Sequence, residues 1–338
     1  MEMVGTAHMT SQQRHAWQAL LQDAGLHTDE AVDYTVLLWE DGQLAATGSR
    51  AGNIFKYFTT APQYRERGFS ATVMTELRQE AFSRGIDHLF LYTKPENCQM
   101  FTSLCFYPVA RTADILLMES CRGGIGAFVA SLPKPPAPGV TGAAVMHCDP
   151  FTRGHRYLLE KAARDCEWLY VFVVSEDKGR FPAADRIELV RRGTADLPNV
   201  IVCPTGPYLI SQVTFPTYFL RDTQRADDIR CHLDMEIFAS HFAPALHITR
   251  RYVGTEPFSP VTAAYNRAMK AFLPGRGIEV REIPRKAIDG TPISASAVRA
   301  LLGRGQAQTL HQLVPETTWR YLQQHRMIGG EEDIHDIP

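Results

Sequence analysis

Cysteine is sparse and scattered in this chain. There are seven, an odd number, with no C-x-x-C pair and no metal-like grouping with histidine. Neither a complete disulfide framework nor a zinc site is indicated, and reduced thiols in a cytoplasmic setting are the expectation. No apolar run approaches the ~18 residues of a membrane-spanning helix. The opening MEMVGTAHMTSQQ lacks the charged-then-apolar order of a secretory leader. Excess charge is missing too: the formal net charge is −2, so nothing points to a general nucleic-acid binder or an acidic membrane surface. No internal repeat is visible. What remains is a soluble globular protein whose 338 residues are long for one domain and comfortable for two.

The most informative stretch runs from Gly142 to Cys166, GAAVMHCDPFTRGHRYLLEKAARDC. It opens on a short apolar run, Ala143 to Met146, of the length of a buried strand. Pro150 breaks the run, and Gly154 permits close approach of backbone to a ligand. From His155 the apolar residues fall at Leu158, Leu159, Ala162, Ala163 and Cys166, one face of a helix. Trp168 to Val174 is then continuously apolar, as in a parallel strand covered on both faces. The loop Asp149-Pro150-Phe151-Thr152-Arg153-Gly154-His155 therefore sits at a helix start, where free N–H groups and the dipole favour a phosphate.

A second motif comes late, at Gly290-Thr291-Pro292-Ile293-Ser294-Ala295-Ser296-Ala297-Val298-Arg299. Ser294 and Ser296 suit a helix start facing phosphate, and Arg299 projects from nearly the same side as Ser296. Its guanidinium can hold phosphate oxygens through two hydrogen bonds. T-x-G-H followed by I-S-A-S-x-V-R resembles the nucleotidylyltransferase superfamily, whose members join an acceptor to the α-phosphate of a nucleoside triphosphate.

The first part of the chain has a different character. A helix is expected from Ser11 to Ala24, strands at 34–39 and 44–47 around a hairpin turn, and a strand at 54–59. An amphipathic helix follows Arg65-Glu66-Arg67-Gly68-Phe69-Ser70 and runs to about Ser83. A strand at 88–92 and a short helix at 96–104 complete the pattern. R-x-x-G followed by N-x-x-x-F-x-x-L-x-F resembles the GNAT acetyltransferases, where such a turn offers backbone N–H groups to the pyrophosphate of coenzyme A. Arg65 and Gly68 fit, with Ser70 where Gly or Ala is usual. Asn97, Phe101 and Phe106 fit, with Cys105 where Gly is usual. These departures bear on acetyl-CoA turnover more than on the fold, and no general base is assignable.

Arg122 to Gly142 is rich in Gly and Pro and reads as a short helical piece followed by a stiff linker. The expected division is a GNAT-like α/β domain over 1–122, a linker over 123–140, a nucleotidylyltransferase domain over 141–330 and a tail over 331–338. In the second domain the alternation of strand and helix predicts a doubly wound, Rossmann-like parallel sheet. Lys178 and Arg180 lie just past its second strand, where they face either the nucleotide or solvent, and Asp185 is a candidate helix cap.

A GNAT-like domain ahead of a nucleotidylyltransferase domain is similar to the citrate lyase ligase family. The strings MHCDPFTRGHRYLLEKAA, VSEDKGRFPAADRIELVRRGT, VGTEPFSPVTAAYNRAM and EIPRKAIDGTPISASAVR carry the resemblance. It implies an acid–thiol ligase: ATP with Mg²⁺ and acetate give acetyl-adenylate and pyrophosphate. The acetyl group then passes to the thiol of the CoA-like prosthetic arm on the citrate lyase acyl carrier subunit, releasing AMP. His155, Thr152 and Arg299 are the implied catalytic group. Asp149, Gly154, Lys286, Ile293, Ser294 and Ser296 are implied on the nucleotide, and Arg65, Gly68, Ser70 and Asn97 on the CoA-like arm. No metal site is expected on the protein itself. Two other uses of the same motifs stay open. One is adenylyl transfer to a phosphopantetheine- or nicotinamide-mononucleotide-like phosphate; the other is a GNAT-type acetyltransferase or CoA-binding module.

Overall fold

A computed structural model of the chain describes residues 2–4, 8–28, 31–177, 179–209 and 225–328. The expected tail at 331–338 lies outside the described residues. Contacts divide the chain into two units, 1–127 with 212–236 and 128–211 with 237–338.

The first unit is an α/β fold built on one mixed sheet. Its strands are β1 (Glu2–Val4), β2 (Tyr34–Glu40), β3 (Gln43–Ala51), β4 (Ile54–Thr60), β5 (Phe90–Thr93), β6 (Tyr107–Arg111) and β7 (Leu116–Glu119). They form one sheet in the order β1-β2-β3-β4-β5-β7-β6. The strand β7, not foreseen from the sequence, pairs antiparallel with both β5 and β6. The β4–β5 pair is parallel, and its pairing is limited to Ile54↔Phe90 and Phe55↔Leu91. The helices are α1 (Ser11–Asp23), α2 (Phe69–Ser83) and α3 (Cys98–Ser103). Thr10 starts α1 with a full capping box to Gln13.

The helix α4 (Gly124–Ser131) carries the chain past residue 127. The second unit is a parallel sheet built from β8 (Thr141–Met146), β9 (Trp168–Val173), β10 (Val200–Pro204), β11 (Ile248–Gly254) and β12 (Glu279–Ile283). Its order is β10-β9-β8-β11-β12 with every pairing parallel. This is the doubly wound arrangement, in which the chain leaves β8 first to one side and later to the other. In chain order α5 (Arg153–Arg164) follows β8, α6 (Ala183–Gly193) follows β9 and α7 (Ala226–Ile237) follows β10. The last continues through a π-helical turn, Phe238–Phe242, into the short α8 (Ala243–Ala245). Residues of α7 up to 236 belong to the first unit. After β11 comes α9 (Pro260–Phe272), and after β12 a two-stranded ribbon, β13 (Ala287–Ile288) with β14 (Thr291–Pro292).

The apolar face of α5 foreseen from sequence is buried: Leu159, Ala162 and Ala163 join Ala144, Leu169, Val171, Val173, Leu189 and Val190 in one core. Each fully buried aliphatic side chain there contributes about 1.5–3 kcal/mol. The chain ends its described part with α10 (Ala295–Leu301), α11 (Ala307–Leu313) and α12 (Glu316–Gln324). These enclose a second core of Phe181, Val298, Leu302, Leu310, Val314 and Leu322. Asp185, a candidate cap, instead lies inside the first turn of α6 and accepts the Tyr321 hydroxyl at 2.7 Å. The Ala183 N–H at the start of α6 is taken by Asp177. None of the described helices is long and apolar enough to cross a membrane.

Leu159 has no exposed surface and lies under the loop that opens α5. Leu159→Ala is expected to lower unfolding stability by about 2–5 kcal/mol, measured by urea denaturation.

Candidate functional site

The β8–α5 loop is shaped by its own side chains. Thr152 caps α5, its Oγ1 accepting the His155 N–H at 3.3 Å. In return the Thr152 N–H donates to His155 Nδ1 at 3.1 Å, with the Thr152 hydroxyl at the same distance. Because Nδ1 accepts, the ring proton sits on Nε2, which is left as a donor. Burial, reinforced by the Arg285 guanidinium and by His147, pushes the His155 pKa down to about 4. The imidazole is therefore neutral under ordinary conditions.

The two sequence motifs meet here. Gly154 packs against the backbone of Ile293, and a Cβ at position 154 would stand 3.1 Å from the Ile293 carbonyl oxygen. Ile293 is buried and its N–H donates to the Lys286 carbonyl at 2.9 Å. Ser294 caps α10 through its hydroxyl, which accepts the Ala297 N–H at 3.1 Å. Arg299 reaches back from α10: Nη1 donates to the Asp149 carbonyl, Nη2 to Ser296 Oγ at 3.0 Å. Nη1 also lies 3.5 Å from the Asp149 carboxylate.

Asp149 is the joint of this arrangement. Its buried carboxylate accepts the Phe181 N–H at 2.9 Å and the Arg180 N–H at 3.3 Å. The loop after β9 is thus tied to the loop after β8, and the carboxylate is engaged with backbone. The C-terminal helices hold the same loop from another side. Arg153 Nε donates to the Val314 carbonyl at 2.9 Å, and the Thr318 hydroxyl to the Phe151 carbonyl at 2.9 Å.

Three residues that composition and spacing did not single out belong to this site. Arg186 is fully buried and donates to the carbonyls of Phe181, His147 and Glu176. A guanidinium with no solvent exposure is expensive unless it is hydrogen-bonded, and here each of its three nitrogens has a carbonyl acceptor. In sequence it sits among Ile187, Leu189 and Val190, where an arginine reads as solvated. Arg285 is held by Thr255 and Glu256, Nε donating to the Thr255 carbonyl at 2.7 Å. His147 follows β8 directly and was hidden by the strand's apolar run. Of the other candidates, the Lys286 side chain is exposed, Arg180 extends toward the Arg299 carbonyl at 3.5 Å, and Lys178 lies outside the described residues.

In the first unit, Arg65, Gly68, Ser70 and Asn97 line one cleft of about 670 Å³ with Phe58, Tyr92 and Phe101 among its walls. Gly68 starts α2 at φ +78° with no side-chain cap on the first N–H groups. Ser70 Oγ lies 3.1 Å from Thr60 Oγ1, and Asn97 donates to Thr93 Oγ1 at 2.9 Å. Cys105, where the family pattern has Gly, sits at φ +57°, a conformation that costs an ordinary residue roughly 1–2 kcal/mol.

A doubly wound parallel sheet, with T-x-G-H after its first strand and I-S-A-S-x-V-R after its last, defines a nucleotidyltransferase-like domain. Residues 141–322 match the model of the citrate lyase ligase C-terminal domain. The [citrate [pro-3S]-lyase] ligase of Escherichia coli (strain K12) is 39% identical over 310 residues, covering 90% of this chain and 88% of that protein. The Klebsiella pneumoniae ligase is 38% identical over 317 residues, covering 92% and 93%. That of Haemophilus influenzae is 38% identical over 314 residues, covering 90% and 94%. The chain belongs to the citrate lyase ligase family, and it is an enzyme of the ligase class.

The neutral state of His155 has a measurable signature. Its folded pKa lies below the ordinary 6.5, so the unfolded chain binds the extra proton first as pH falls. Its stabilising contribution is present above pH 6.5 and is lost progressively toward pH 4. Urea denaturation at pH 7 and pH 5 should show a smaller loss for His155→Gln than for the parent chain.

Proposed function

We propose that the enzyme activates acetate with ATP, forming acetyl-adenylate and pyrophosphate. It then passes the acetyl group to the thiol of the prosthetic arm on the citrate lyase acyl carrier subunit, releasing AMP. The observation that supports this reading is the meeting of the two motifs, Gly154 against Ile293 and Arg299 against Asp149.

Adenylation needs little covalent chemistry from the protein. An ionised carboxylate attacks the α-phosphorus and pyrophosphate departs in line, so positioning and charge stabilisation dominate. His155 Nε2–H donates to an α- or β-phosphate oxygen, with Thr152 fixing the ring. Arg299, beside Ser294 and Ser296, holds the β/γ end, and the absent side chain of Gly154 lets the Ile293 backbone close on the turn that carries His155. Asp149 acts from behind, positioning Arg299 and the loop of Arg180 and Phe181. ATP enters as its Mg²⁺ complex. The acidic side chains nearest the motifs do not fit a metal-binding role. Asp149 is engaged with backbone N–H groups and Glu256 with Arg285 and the N–H groups of Phe258 and Ser259. Among the described residues no cluster of three or more His, Cys, Asp or Glu is placed for an ion.

The cleft of the first unit takes the CoA-like arm in this scheme. Uncapped N–H groups at the start of α2 suit a diphosphate, and Phe58, Tyr92 and Phe101 suit the apolar part of the arm. The free cysteines are consistent with a cytoplasmic enzyme.

Two variants test the adenylation half. His155→Ala should reduce acetate-dependent ATP–pyrophosphate exchange about 10²–10³-fold, the usual effect of losing one transition-state donor; an unchanged rate would remove His155 from the chemistry. Arg299→Ala should raise the apparent KM for ATP about tenfold or more, and an unaltered KM would make Arg299 a purely structural residue. For the overall reaction, incubation with ATP, acetate and deacetylated citrate lyase should yield AMP and active lyase. A dinucleotide product would instead indicate adenylyl transfer to a phosphate acceptor.

A further inference from the structure

The loop between β8 and α5 engages nearly all its polar side chains internally. Thr152 and His155 Nδ1 bond to each other, and Asp149 binds the N–H groups of Arg180 and Phe181. Arg299 is shared between Asp149 and Ser296, and each of the three nitrogens of Arg186 donates to a carbonyl. His147 differs. Its carbonyl is fixed by Arg186 Nη1 at 2.7 Å, so its backbone is rigid. Its side chain is exposed, and the imidazole has no hydrogen-bond partner among the described residues.

The position of His147 is equally specific. It is the first residue beyond the carboxyl end of β8, the central strand, with β9 on one side and β11 on the other. In doubly wound sheets ligands gather outside the carboxyl ends of the strands where the chain reverses direction across the sheet. The imidazole is close enough to Arg186, Asp149 and Arg299 for each charge to act on it, and it acts in turn on His155. Partial desolvation of the ring first, and the Arg186 charge next, hold its pKa below the ordinary histidine value, with Asp149 opposing.

Two substrates must meet at this point, and they make different demands. The triphosphate has the Nε2 donor of His155 and the guanidinium of Arg299. The carboxylic acid needs a donor that orients it without neutralising its charge, because a tight pairing with Arg or Lys would weaken the nucleophile. We infer that His147 binds the acceptor carboxylate, donating an imidazole N–H to one oxygen and leaving the other free to attack the α-phosphorus. In that step a carboxylate O–P bond forms, and the bridging P–O bond between the α- and β-phosphates breaks. Its electron pair leaves on pyrophosphate, and no proton changes hands. His147 finishes bonded to the acyl carbonyl oxygen of the adenylate. The inference rests on the adenylation reaction proposed above and assigns its acid-binding half.

The test separates the two substrates. Acetate-dependent ATP–pyrophosphate exchange is measured for the parent chain, His147→Ala and His147→Gln, varying acetate and ATP independently. The alanine variant should raise the acetate KM about tenfold or more, and glutamine, which keeps an N–H donor, should raise it less. The ATP KM should stay within about twofold in both. Binding of the non-reactive analogue 5′-O-(N-acetylsulfamoyl)adenosine should weaken about tenfold in His147→Ala while ATP binding holds. An acetate KM unmoved in both variants would overturn the assignment, as would a parallel rise in both KM values, which would place His147 on the triphosphate. Should His147→Ala lose its fold, judged by its melting temperature, the glutamine variant and the analogue decide. A parent enzyme that shows no acetate-dependent exchange would overturn the adenylation reading itself, and this assignment with it.

Discussion

A single carboxylate organises the second unit. Asp149 draws the backbone of Arg180 and Phe181 onto the loop that follows β8, while its carbonyl receives Arg299 from a helix that follows the last strand. Three stretches far apart in the chain are thereby held together. Buried hydrogen bonds to a charged group are each worth about 1.5–3 kcal/mol, enough to fix loops whose ordering otherwise carries an entropic cost. Phe181 completes the attachment by filling the core between α10, α11 and α12. These loops are then parts of a packed structure, which is the condition for electrostatic preorganisation.

The sequence was legible where period and punctuation coincide. The strand 141–146, the helix from 153 and the strand 168–173 were all foreseen to within about two residues, because apolar spacing, Pro150 and Gly154 agree. The late motif was legible for the same reason. Less visible were short elements defined by pairing and not by pattern. The strand β7 exists because it lies between β5 and β6, a fact of tertiary pairing that no local window contains. The helices α10 to α12 are short, and their apolar residues make sense only around Phe181, more than a hundred residues earlier.

The site was partly legible for a related reason. Thr152, Gly154, His155 and Arg299 were visible as a motif, since their spacing follows helix geometry. The partners that hold them were not. Arg186 looks like a surface arginine until its three carbonyl acceptors are brought around it, and Arg285 reads as half of a solvated basic pair with Lys286. Asp149 carries two meanings in sequence, ligand contact or loop brace, and its bonds to the N–H groups of Arg180 and Phe181 become visible only in the fold. Cys105 shows the reverse case. Its departure from Gly bears in sequence on chemistry, whereas in the fold it is a matter of backbone conformation, φ +57°.

The bond between Arg299 and the Asp149 carbonyl spans 150 positions of sequence. During synthesis the T-x-G-H turn therefore leaves the ribosome long before the helix that carries Arg299. A nascent chain lacking α10 has the T-x-G-H turn but neither the guanidinium nor the serines facing it, and it lacks the core that anchors Phe181. The two motifs are joined only once α10 has emerged, so the arrangement held by Asp149 and Arg299 forms late in translation and all at once.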